Sequence, residues 1–257
     1  MRRFIVLILF SFSIAQGFEG PEFMLIGRDC FKEMADKDAI FTSHNRSLFE
    51  FELIDAELYN IRKLDWYYGR LIFTTTIGKF GVTFIDYGIS GLYERQKYAI
   101  AYNRPILSTL YCGTEFSREM YNFPGTANNG SNDFLSMAAA YAFCNIETYA
   151  AIKEIPIKRD IKLNAPNPEF LGAIRWRAAK SISLYGIYFK DDMNHSRYDF
   201  GQKLALSEPL AISAGFLTAP QVYYLGTNIS YKRFAFEYVF YDVSQLPSCW
   251  SLALIIR

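Results

Sequence analysis

The stretch RFAFEYVFYD, residues 233–242, alternates with a period of two. In an extended chain Phe234, Phe236, Tyr238 and Phe240 share one face, while Ala235, Glu237, Val239 and Tyr241 share the other. A soluble sandwich would turn the aromatic row into its core and the acid into water. A barrel in the outer membrane would turn the aromatic row into lipid and the acid into the lumen.

The same period extends along the chain from about residue 45, with turn signals every 10 to 15 residues. Fourteen candidate strands begin near Ser47, Asp65, Lys79, Tyr93, Pro105, Asn132, Asn145, Glu169, Ser181, Ser196, Pro209, Val222, Phe234 and Ser248. Most run for about nine to thirteen residues, longer than the usual five or six and close to the length of a tilted membrane-spanning strand. Faces sort consistently. FLGAIRWRA places Phe170, Gly172, Ile174 and Trp176 opposite Arg175 and Arg177, and WSLALIIR places Trp250, Leu252, Leu254 and Ile256 opposite Ser251 and Ala253. The fourth, fifth and seventh strands alternate less cleanly.

Connections alternate between tight and loose. Tight turns fall near Gly78, Asn103, Cys144, Lys180, Glu208 and Lys232, and two long loops rich in Gly, Pro and Asn span 121–133 and 156–168. Short turns at one end, longer loops at the other and an even strand count predict an all-β, closed antiparallel transmembrane barrel of about 14 strands in the bacterial outer membrane. Its chain ends lie on the periplasmic side. Lipid offers the backbone no hydrogen-bond partner, so such a sheet must close on itself. A cation facing lipid at mid-depth costs ~2 to 4 kcal/mol. The charges on polar faces, Glu50, Glu52, Arg70, Lys97, Arg175, Arg177, Lys203 and Glu237, are therefore expected to face the lumen. There they either pair and solvate the interior or line a permeation route. The alternative fold is a secreted β-sandwich binding protein.

Composition and the N-terminus agree. Aromatics make up 18% of the 257 residues and the net charge is only +1, which leaves no basic footprint for nucleic acid. Residues 1–17, MRRFIVLILFSFSIAQG, have the basic start, short apolar run and small residues of a signal peptide. Four cysteines, at 30, 112, 144 and 249, are too sparse for a disulfide scaffold and are read as free or incidental.

No catalytic motif, phosphate-binding Gly loop or zinc-ligand spacing is present, so no enzyme activity, cofactor or metal is expected. His44 and His195 are read as ordinary polar residues, and Asp191 and Asp192 lack an EF-hand pattern. N-x-S/T sequons at Asn45, Asn129, Asn194 and Asn228 are read as chance.

IGRDCFKEMADKDAIFTSHNRS, residues 26–47, with its Gly-Arg start, its Asp38-Ala39 pair and its Asn45, resembles the N-terminal signature of the FadL-like outer-membrane proteins, most of all the PorV and PorQ subgroup of type IX secretion. Asn45-Arg46-Ser47 stands where that signature has Asn-Pro-Ala. FIDYGISGLYERQKYAIAYNRPI (84–106) and the run from Tyr224 to Arg257 are similar to other segments of the same proteins. The resemblance implies a fourteen-stranded barrel, with residues 18–46 as a plug in the lumen and 47–257 as the barrel. It further implies a secretion-associated barrel whose extracellular loops hold cargo proteins or, alternatively, a passive transporter of small hydrophobic molecules.

Overall fold

The computed structural model describes residues 49–57, 65–89, 92–123, 129–159, 168–190, 196–218, 221–243 and 248–256. The expected signal peptide, the plug segment with Asp38, Ala39 and Asn45, and His44, Asp191, Asp192 and His195 lie outside the described residues.

Fourteen antiparallel strands follow one another around a closed ring. They are β1 (Phe49–Glu57), β2 (Asp65–Thr74), β3 (Lys79–Ile89), β4 (Tyr93–Pro105), β5 (Leu110–Asn122), β6 (Gly130–Phe143) and β7 (Ile146–Arg159). The ring continues through β8 (Glu169–Ala179), β9 (Ile182–Lys190), β10 (Ser196–Ala205), β11 (Leu210–Thr218), β12 (Gln221–Tyr231), β13 (Phe234–Val243) and β14 (Cys249–Ile256). Pairing of β1 with β14, Leu53 opposite Leu254, closes the ring and leaves no free edge. Closure excludes the β-sandwich.

Strand β13 shows which way the aromatic row points. Its burial alternates strictly, with Phe236 51% exposed and Glu237 3%. The row lies outside and the acid inside. Register carries this division to the neighbours, because Phe236 stands opposite Ile229 and Leu254 while Glu237 stands opposite Asn228 and Ala253. Aromatic pairs cross between strands on the outer face, such as Phe80 with Tyr102 at 4.9 Å and Phe200 with Phe216 at 5.5 Å between ring centroids. No described helix is long and apolar enough to cross a membrane; the strands do the crossing.

One end of the barrel carries the tight connections 75–78, 106–109, 144–145, 180–181, 206–209 and 232–233 together with the start of β1 and the end of β14. By the rule that short turns stay inside the cell envelope, this end is periplasmic. Cys144 and Lys232 take left-handed φ values of 53° in the two-residue turns. The turn expected at Asn103 lies instead at 106–109, because β4 runs on to Pro105.

Strand pairing takes up part of each of the two long loops. β5 continues to Asn122, β6 starts at Gly130 and β7 continues through Pro156 to Arg159, leaving only 123–129 and 160–168 as connections. Asn132 and Asp133 pair with Glu119 and Arg118 despite their turn-forming character. Pro156, which has no N–H to give the ladder, is accommodated between two register shifts in β7. Those shifts also explain the weak alternation of this strand.

Candidate functional site, the inner wall of the barrel

The inner face is set by register alone. Starting from Glu237 and moving strand by strand, the inward positions include Glu50 and Glu52 on β1, Arg70 on β2, Lys97 on β4, Arg175 and Arg177 on β8, and Lys203 on β10. Two properties divide this wall by height.

The extracellular half is mostly apolar along the arc from β8 through β14 to β3 and carries buried charges across β4 to β7. Trp66, Ile187, Leu217, Val222, Tyr241 and Val243, all near the strand ends away from the tight turns, are buried. Tyr87, Ile89 and Phe189 pack against the same cluster. The periplasmic half holds most of the charges predicted from sequence. Glu52 stands directly opposite Arg70 in the ladder, and both are buried. Glu147 at the start of β7 forms ion pairs with both Arg175 and Arg177, the first largely buried and the second 55% exposed in its side chain. Lys203 and Glu237 line a cavity of about 10 Å³ with Ser213 and Asn228, room for about one water. The Asn228 amide donates to Glu237 Oε1.

A second charged array crosses β4 to β7. Arg95 Nη2 donates to Glu119 Oε1 at 2.7 Å, Lys97 Nζ lies 3.5 Å from the same oxygen, and Lys97 Nζ donates to Glu154 Oε1 at 2.9 Å. Tyr121 donates its hydroxyl to Glu119 Oε2 at 2.5 Å. Glu119 is wholly buried, so its charge depends on these partners. Glu154 occupies the left-handed region at φ 56°, in the bulge where Lys153 and Glu154 together oppose Ser136, and its N–H donates to Ser136 Oγ at 3.2 Å.

On the opposite arc, Tyr185 on β9 and Tyr224 on β12 meet at their hydroxyls over Gly201 and Gly215. A Cβ at Gly201 would collide with both hydroxyls and one at Gly215 with that of Tyr224, so the close approach requires glycine there. Tyr224 also donates to Asp199 Oδ1 at 3.2 Å.

Sequence reasoning singled out Lys97 and Glu237 but missed their partners. Arg95 is hidden in the all-polar run Glu94-Arg95-Gln96, where alternation cannot assign a face. Glu154 is displaced by the bulge. Its signal was the polar doublet Lys153-Glu154 between Ile152 and Ile155, one residue too many for a regular period. Asp199 stands in RYDFGQK among residues whose alternation is clear, and could have been read as inward-facing.

Among the described residues no group of three His, Cys, Asp or Glu could hold a metal ion. Cys112 and Cys144 carry free thiols.

With an apolar outer face, a charged and closed inner wall and short turns at one end, the fold can be set beside solved structures. The outer membrane protein Omp33 of Acinetobacter baumannii superposes with a TM-score of 0.57 at 9% identity, covering 82% of this chain and 97% of that one. This is a bacterial outer-membrane β-barrel. A mutant of the Rh. blastica porin aligns over 82% of this chain and 99% of its own at 7% identity, with a TM-score of 0.44. No family model and no curated protein matches the chain, so the FadL and PorV resemblance rests on its sequence motifs alone.

Proposed function

We propose that the barrel admits small, predominantly apolar molecules across the outer membrane, with residues 18–46 of the exported chain acting as a plug in the lumen. The supporting observation is the apolar arc of the inner wall at its extracellular half, from Trp66 through Leu217 and Val222 to Tyr241, which faces the charged arc of β4 to β7. A wet diffusion pore has a polar interior, whereas an apolar mouth lowers the cost of accepting an apolar solute. Fourteen strands enclose more space than their own side chains fill, which leaves room for both a segment and a path past it.

The other role implied by the resemblance is the holding of secreted cargo on the extracellular loops. Its support is the polar, Asn- and Pro-rich rather than apolar composition of the segments 121–133 and 156–168, and strand pairing takes up part of each.

The test uses the mature chain in vesicles whose outer leaflet contains lipopolysaccharide. Influx of a pyrene-class hydrocarbon probe should accelerate over protein-free vesicles, and glucose influx should not. Rapid glucose and ion flux without hydrocarbon influx would identify a wet pore and overturn the proposal.

A further inference from the structure

Asp199 is an anomaly on the apolar arc of the inner wall. It is 0% exposed, and its neighbours across the ladder are Ile187 and Leu217. Oδ1 accepts the Tyr224 hydroxyl, and Oδ2 accepts no hydrogen bond among the described residues. Among the described residues no cation pairs with it. Arg197, two positions earlier on the same face, lies over the Phe189 ring at 5.7 Å and forms no ion pair with Asp199. A buried carboxylate with one neutral donor is costly unless a proton or a cation joins it.

We infer that Asp199 and the Tyr185–Tyr224 pair form a recognition site for the ammonium end of an otherwise apolar molecule. The inference rests on the proposed passage of apolar solutes and names a class among them. Three features support it. The site lies in the fourth position of β10, close to the extracellular mouth, where an incoming solute arrives first. Its surroundings, Ile187, Leu217 and Val222, suit an alkyl or aromatic body. Its floor is Gly201 and Gly215, over which the two tyrosines lie as a lid, so rotation of their side chains exposes backbone rather than bulk. An ammonium group then supplies three donors to a carboxylate that now has one, and the freed tyrosine hydroxyls accept or donate as required.

The experiment measures binding of two probes, octylammonium and octanol, to the mature chain in nanodiscs by calorimetry. The wild type should prefer octylammonium by at least tenfold, and Asp199→Asn, nearly isosteric, should abolish that preference. Tyr224→Phe, which keeps the carboxylate but removes one hydroxyl of the site and the one side-chain hydrogen bond that Asp199 accepts among the described residues, should shift the preference less than Asp199→Asn does. Each variant is first checked for a compact, heat-modifiable band. A wild type with no preference would show that Asp199 holds its own proton, and an unchanged preference in Asp199→Asn would place the cation elsewhere. Either result overturns the inference. The hydrocarbon influx assay reads the transport proposal separately: influx without ammonium preference removes only the site, and ammonium binding without influx removes only the transport role.

Discussion

Lys97 on β4 reaches past β5 and β6 to hold Glu154 of β7 at 2.9 Å, and Glu154 meets it from a left-handed backbone conformation at φ 56°. The bulge and the ion pair depend on each other. An extra residue in β7 turns Glu154 inward, and the buried ammonium rewards a conformation that a side chain other than glycine adopts at a cost of roughly 1 to 2 kcal/mol.

The backbone and side-chain contributions at this position can be separated. Glu154→Ala and Glu154→Gly both delete the carboxylate, but only glycine is relaxed at a positive φ. The glycine variant should be the more stable by about 1 kcal/mol, read as the difference in urea midpoint of the detergent-folded barrel. Equal midpoints would mean that the bulge relaxes once Lys97 is released.

Lys97 also lies beside Glu119, so Lys97→Met leaves two buried carboxylates with one cation fewer. Loss of one partner from such a buried array costs about 3 to 5 kcal/mol. The double variant Lys97→Met/Glu154→Gln should recover part of that loss. A double-mutant cycle on unfolding free energies measures the coupling, and strictly additive losses would deny it.

Glu147 holds two arginines of unequal burial. Arg175 has a side chain 13% exposed and Arg177 one 55% exposed. Arg175→Met should therefore destabilise the barrel clearly, while Arg177→Met, screened by water, should cost under about 1 kcal/mol. Urea unfolding of the two variants side by side checks the order, and a larger effect at Arg177 would contradict it.

The outer face makes the last prediction. Leu252 on β14 is 47% exposed and stands opposite Tyr238 and Asp55, on the lipid side. Leu252→Arg should cost about 2 to 4 kcal/mol for folding into lipid vesicles if it lies near mid-depth. Folding yield against lipid chain length reads the penalty, which should grow as the bilayer thickens.

Much of the fold is legible in the chain because the side-chain period of a strand is two, and in lipid this period separates most apolar residues from most charged ones. Phe236 and Glu237 need only their alternation to be placed outside and inside, and Asp65, Lys79, Tyr93, Glu169, Ser196 and Phe234 begin strands where the turn signals predict. The strand number follows from the same punctuation. Alternation fails where both faces are polar, as at Glu94-Arg95-Gln96, and where one residue is inserted, as at Lys153-Glu154. Turn residues also mislead above the membrane, where Asn132, Asp133 and Pro156 join strands because water and bulges tolerate them.

The sequence by itself determined the faces, the number of strands and the need for closure, since these follow from local period and from the absence of hydrogen-bond partners in lipid. Only the tertiary structure decided which charges meet. Lys97 and Glu154 are 57 positions apart, and Tyr185 and Tyr224 are 39 apart. Their meetings depend on the register and curvature of four neighbouring strands, a long-range property that no local pattern encodes.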